Sequence, residues 1–166
     1  GSIIDCQGIA QNYPANGNDL ALSLFWVKLD SSGEPSLQCV SRGDPTASVL
    51  TRNTQPIVKG VESFQVMYGL GDPALGNGTP VKWVSAQSLT ATDWINVSAV
   101  RVGLIIRGDV GSSQGQAATA AENKLYPLGE SFTSGTTEAG LVFDVPNDGR
   151  LRRVFNATYK LRNPQD

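Results

Sequence analysis

The closing stretch of the chain, "LRRVFNATYKLRN", Leu151 to Asn163, alternates so sharply that it predicts a strand with two unlike faces. Leu151, Phe155, Ala157, Tyr159 and Leu161 share one parity with Arg153, and that parity is expected to face the core. Arg152, Asn156, Thr158, Lys160 and Arg162 share the other with Val154, and are expected to face outward. The same period-2 signal runs through Val58 to Leu70, where Val58, Phe64, Val66, Tyr68 and Leu70 oppose Ser63, Gln65 and Gly69, and predicts one long half-buried strand. In "AVRVGLIIR", Ala99 to Arg107, it puts Val100, Val102, Leu104 and Ile106 on the core side and Arg101 and Arg107 opposite. "LALSLFWVKL", Leu20 to Leu29, is apolar on both parities and reads as a strand covered on each side.

Between these runs lie breakers. "SSGEP", Ser31 to Pro35, turns Leu20 to Leu29 into a hairpin with Ser36 to Arg42, whose Leu37 and Cys39 share an inward parity. "GDPALGNGTP", Gly71 to Pro80, is a loop, followed by a short strand over Val81 to Val84. Ser88 to Trp94 suits one helical turn with Trp94 anchored on the sheet. Gly108 to Thr137, poor in periodicity and rich in small polar residues, reads as a long mobile loop. Leu141 to Val145 and the closing strand are expected to pair as a hairpin about Asp148-Gly149.

Composition narrows the chemistry. The 166 residues suit one domain over 1–166, and 18 glycines with 9 prolines favour a turn-rich β fold. A formal net charge of -2 offers no global attraction for nucleic acid or an anionic membrane. Histidine is absent, which removes His-based triads and HExxH zinc chemistry. Cys6 and Cys39, 33 positions apart, fit one disulfide better than a redox pair, with two buried thiols as the alternative. No apolar run is long enough to span a bilayer. Gly1-Ser2 reads as a cleavage scar of expression, with native residues as the alternative.

No site for catalysis or metal emerges. "DVPNDG", Asp144 to Gly149, lacks the spacing and distal glutamate of a calcium loop and is a turn. Glu62, an acid on the apolar parity, calls for a partner such as Arg101, Arg107 or Arg153 rather than for acid-base work. Neither catalytic residues nor a cofactor are expected. The basic parity of the closing strand has no aromatic on its own side to stack bases, so a solvated face outweighs nucleic-acid binding.

Three segments in order, "GVESFQVMYG" (60–69), "DWINVSAVRVGLIIRG" (93–108) and "LRRVFNATYKLRN", resemble the C-terminal part of PilW-type minor pilins of type IV pili. "DCQG" and "SLQC" are similar to that family's paired-cysteine region, with 108–137 as an unmatched insertion. The resemblance implies an α+β, predominantly antiparallel β head. It also implies a long apolar N-terminal helix that anchors the precursor in the inner membrane and later packs in the pilus. On this reading the chain is the soluble head without that helix, periplasmic before assembly and extracellular in the fibre. The helix would cover one face of the sheet, and Cys6 would pair with Cys39. Other minor pilins, the major pilin and a PilY-type tip adhesin become the implied partners. Arg152, Lys160 and Arg162 become candidate interface residues. Two readings compete: a J-type pseudopilin of type II secretion, disfavoured because "NVSAV" lacks that family's Leu-Pro, and a secreted glycan-binding β domain using Trp26, Trp83 or Trp94.

Overall fold

The structure is a computed structural model and describes residues 3–8, 10–11, 23–42, 52–72, 74, 78–113, 123–133 and 141–161. Among them the secondary structure is β, with 3-10 turns at Ala86–Ser88, Trp94–Asn96 and Glu130–Phe132 and no α-helix. The antiparallel β expectation therefore holds, while the helical part of an α+β fold has no counterpart in the described residues. The chain clusters into two compact units, Gly1–Glu62 and Ser63–Asp166.

In the first unit, β1 (Ile3–Ile4) pairs with β2 (Ala10–Gln11). A second sheet orders β3 (Ser23–Leu29), β4 (Pro35–Arg42) and β5 (Arg52–Lys59) with β4 in the centre. The β3–β4 hairpin is the one its turn residues call for. Gly33 adopts φ 78, and the Asp30 carboxylate accepts hydrogen bonds from the Ser32 amide at 2.8 Å, the Ser32 hydroxyl at 2.6 Å and the Glu34 amide at 3.0 Å. Those donors, the Ser32 hydroxyl foremost, hold the Asp30 carboxyl below its ordinary range.

As the central strand, β4 is buried from Pro35 to Ser41, and its polar residues are bonded: Gln38 Nε2 donates to Ser36 Oγ at 2.5 Å. Cys39, 0% exposed, forms a disulfide with Cys6 across a Cα separation of 6.3 Å, which ties the first strands to β4. By contrast β3 is an edge strand with Leu24, Phe25 and Leu29 exposed, so its doubly apolar sequence does not signal cover on both faces.

The long strand expected over Val58 to Leu70 is two strands. Gly60, at φ 78, ends β5, and β6 (Val61–Gly71) begins in a different sheet. Side-chain period alone cannot register this break, because Val58 and Phe64 are six positions apart and so keep the same parity across it. The second unit's main sheet runs β11-β8-β6-β7, with β7 (Pro80–Val84), β8 (Val97–Arg107) and β11 (Arg152–Lys160). β8 and β11 pair antiparallel without interruption from Arg152↔Arg107 to Lys160↔Ala99.

The second unit buries the parity that the sequence reading turned outward. Met67 on β6 packs with Leu128 and Leu141, flanked by Trp83 and Phe132. Leu128 is 1% exposed, yet it belongs to the stretch expected to be a mobile loop. Within 108–137 the described residues hold β9 (Lys124–Leu125) and the turn that carries Pro127 and Leu128 onto the sheet; 114–122 and 134–137 lie outside the described residues. β9 pairs with β10 (Phe143–Asp144), so the expected pairing of 141–145 with the closing strand is replaced by a small separate ladder.

Glycine explains the close approach. A Cβ on Gly103 would fall on the Pro127 carbonyl, and one on Gly69 would lie 2.8 Å from Pro80 Cβ and 3.2 Å from the Trp83 ring. Bare backbone at Gly103 lets the covering segment sit directly on β8.

Candidate assembly surface

The guanidinium of Arg101 identifies the covered face residue by residue. Its Nε donates to Leu128 O at 2.8 Å, Nη1 to Thr158 Oγ1 at 2.8 Å and Nη2 to Asn156 Oδ1 at 3.0 Å, and its carbon lies 4.8 Å from the centre of the Phe132 ring. Arg101 on β8, and Asn156 and Thr158 on β11, therefore share the face that the 126–133 segment covers. The sequence offered Arg101 as a partner for Glu62; it serves instead to clamp the cover to the sheet.

Arg152 lies at the end of the same face. Expected on an exposed basic parity, it is 8% exposed, and its fork donates to Asp148 Oδ1 at 2.8 Å and Oδ2 at 2.7 Å. Arg152 stands directly opposite Arg107, where like charges on neighbouring strands disfavour each other, and a buried guanidinium needs a carboxylate partner. The turn residues 146–149 supply it, because Gly149 at φ 67 brings Asp148 back toward the strand. Of the three candidate interface residues, Arg152 is thus an internal ion-pair partner. Lys160 is exposed, with its chain passing 3.5 Å from where a Cβ on Gly78 would stand, and Arg162 lies outside the described residues.

The Arg152 fork, foremost among its neighbours, holds the Asp148 carboxyl well below the usual carboxylate range. A depressed folded-state pKa means that the unfolded chain binds the proton more readily. The resulting stability is full above about pH 4, the unperturbed aspartate value, and is lost as pH falls toward the lowered value. Asp148→Asn should therefore flatten the acid limb of a melting-temperature profile below about pH 4 and lower stability at neutral pH, where it leaves Arg152 buried beside a neutral group. Parallel acid limbs in the two proteins would contradict this. Asp30 and Asp93 are also held below their ordinary range by hydrogen bonds, from the Ser32 and Thr90 hydroxyls foremost, so the comparison of variant with parent isolates Asp148.

The opposite face of the sheet is apolar, and among the described residues it is exposed at β11. Phe64, Val66, Tyr68 and Leu70 on β6 and Val100, Val102, Leu104 and Ile106 on β8 are all half-buried. On β11, Phe155 stands opposite Leu104 and Tyr159 opposite Val100, 53% and 59% exposed. These are the side chains that the sequence reading assigned to the core. The assignment fails because alternation identifies an apolar face without showing what covers it, and the chain places its own cover on the glycine-bearing side. Trp94 packs over one corner, edge-on to Tyr68 at 5.0 Å between ring centres, as its anchoring role predicts, and Trp83 meets Phe132 edge-on at 5.7 Å. Two of the three tryptophans considered for glycan stacking thus have aromatic neighbours within the chain.

Among the described residues no group of three metal-ligating side chains assembles, and no helix is long and apolar enough to cross a membrane. The arrangement can bury apolar surface and pair charges.

No curated protein and no solved structure matches the chain. A family model does: type IV pilus-assembly protein W matches residues 24–163. The matched span encloses Cys39, both faces of the second unit's sheet and the 108–137 stretch that sequence reading set apart, while Cys6 lies outside it. With more than four-fifths of its length matched, the chain belongs to the PilW family of type IV pilus-assembly proteins.

Proposed function

We propose that this chain is the head of a minor pilin that primes or caps assembly of a type IV pilus, and that an apolar N-terminal helix seats on the open face of the β11-β8-β6-β7 sheet. The observation that carries this reading is the exposure of Phe155 and Tyr159 on the most apolar parity of the sheet. A soluble β domain ordinarily turns such a face inward. Burying a half-exposed aromatic face stabilises an attached helix by roughly 25 cal/mol for each Å² removed from water, so no catalytic chemistry is required for the face to act.

Other minor pilins, the major pilin and a PilY-type tip adhesin are the partners this role calls for, and Lys160 lies where a neighbouring subunit could meet it. The precursor would be held at the inner membrane with its head in the periplasm before entering the fibre. Membership of a pilus-assembly family favours the pilus over the J-type secretion machinery.

Deleting the gene from its host should abolish or sharply reduce surface pili, and the gene supplied in trans should restore them, as counted by electron microscopy. Undiminished piliation in the deletion strain would refute the reading.

A further inference from the structure

Main-chain geometry at the outer edge of β11 is fixed by two hydrogen bonds. Gly108 N–H donates to Leu151 O at 2.8 Å, and Leu161 N–H donates to Ser98 O at 2.8 Å. Both lie in the same register as the β8–β11 ladder. Bonded pairs alternate along an antiparallel ladder, so the odd residues from Leu151 to Leu161 bond to β8. Val154, Asn156 and Thr158 then direct their N–H and C=O groups away from it. β11 is the outermost strand, and among the described residues no strand lies on that side.

The two margins of this sheet are built differently. β7 is short, opens on Pro80, and its pairing with β6 slips between Leu70 and Gly71, all devices that blunt an edge. β11 runs for 9 residues without proline, glycine or a register shift. A continuous edge of this kind is a template for an added strand.

Charge selects the occupant. β11 carries the exposed cations Arg153 and Lys160 and no acid, and Arg152 is already paired with Asp148, so the edge is basic and an acidic strand complements it better than a second copy of the same basic strand. Phe155 and Tyr159 project beside the edge on the open face, next to Arg153 on the same parity.

We propose that the outer edge of β11 receives an extended segment of a different pilus-assembly subunit. That segment would alternate apolar residues, to lie against Phe155 and Tyr159, with carboxylates on the opposite parity that meet Lys160. The origin of the partner rests on the proposed pilus role; the mode of binding does not.

The test is amide hydrogen exchange on this chain with a blocked peptide that alternates valine and glutamate, at millimolar concentration. Exchange at Val154, Asn156 and Thr158 should slow roughly tenfold, the equivalent of about one net hydrogen bond, while a valine-lysine peptide changes nothing. Val154→Pro removes an outward N–H and leaves the bonds to β8 in place. It should keep the melting temperature and lose the peptide's protection of Asn156 and Thr158. Absent protection, equal protection by the lysine peptide, or protection that survives Val154→Pro would each overturn the proposal.

Cells separate this inference from the broader one. If deletion of the gene leaves pili intact, the pilus role fails and the exchange result still decides strand addition. If deletion removes pili and Val154→Pro restores them fully, strand addition fails alone.

Discussion

Gly103→Ala should destabilise the second unit by about 3 kcal/mol, a large loss for the addition of one methyl group. The new Cβ would fall on the Pro127 carbonyl and lie 3.0 Å from the Leu128 amide nitrogen, and main-chain atoms cannot swing aside as the end of a side chain can. Relief requires lifting the 126–129 turn. That movement withdraws Leu128 from Met67 and Leu141 and lengthens the bond from Arg101 Nε to Leu128 O. Deleting a buried leucine's contacts costs about 2 to 5 kcal/mol, so even a partial lift accounts for the figure. Urea denaturation followed by tryptophan fluorescence is a suitable measurement, because Trp83 lies against Phe132 in the covering segment. A change below about 0.5 kcal/mol would mean that the segment does not sit on this face.

Breaking the disulfide is the second large effect. Cys6 and Cys39 are separated by 33 positions, and the loop closed between them restricts the unfolded chain by about 3 to 4 kcal/mol in chain-entropy terms. The bond also positions the Gln7 side chain, whose Nε2 donates to Cys39 O at 3.4 Å, and the Cys6 amide, which donates to Ser23 Oγ at 3.2 Å. Cys6→Ala, or reduction of the parent protein, should therefore lower the denaturation midpoint by the equivalent of that free energy. Non-reducing peptide mapping should show the Cys6 peptide linked to the Cys39 peptide. Equal midpoints with and without reductant would show that the bond contributes nothing to the fold.

Which parts of this molecule could be read from its sequence follows from what alternation encodes. Period-2 patterning located β6, β7, β8 and β11 and the β3–β4 hairpin, because strand existence depends on residues near one another in the chain. It could not say which face the chain would cover, since that depends on the distant 126–133 segment. The usable signal was glycine: Gly103 stands inside β8, where a strand gains nothing from a missing side chain unless another backbone comes close, and Gly69 on β6 makes room for the Pro80 and Trp83 side chains. "NKLYPLG", the one apolar island in 108–137, was the complementary signal.

Arg152 was misread for a related reason. Its neighbours on the strand are exposed, and only the cross-strand position of Arg107 and the return of the 146–149 turn make it an internal ion-pair partner. The break at Gly60 was equally silent, because the apolar parity continues across it into a different sheet.

The central claim is that the open face, with Phe155 and Tyr159 on it, serves assembly rather than the stability of the head. Both side chains are more than half exposed, so Phe155→Ser combined with Tyr159→Ser should cost this chain little, within about 1 kcal/mol by thermal melting. The most direct measurement pairs that melt with pilus counts in a deletion strain carrying the full-length gene with the same two substitutions. The account predicts an unchanged head and few or no pili. A head that melts far below the parent, with pili assembled at parental number, would place the two aromatics in the core and contradict it.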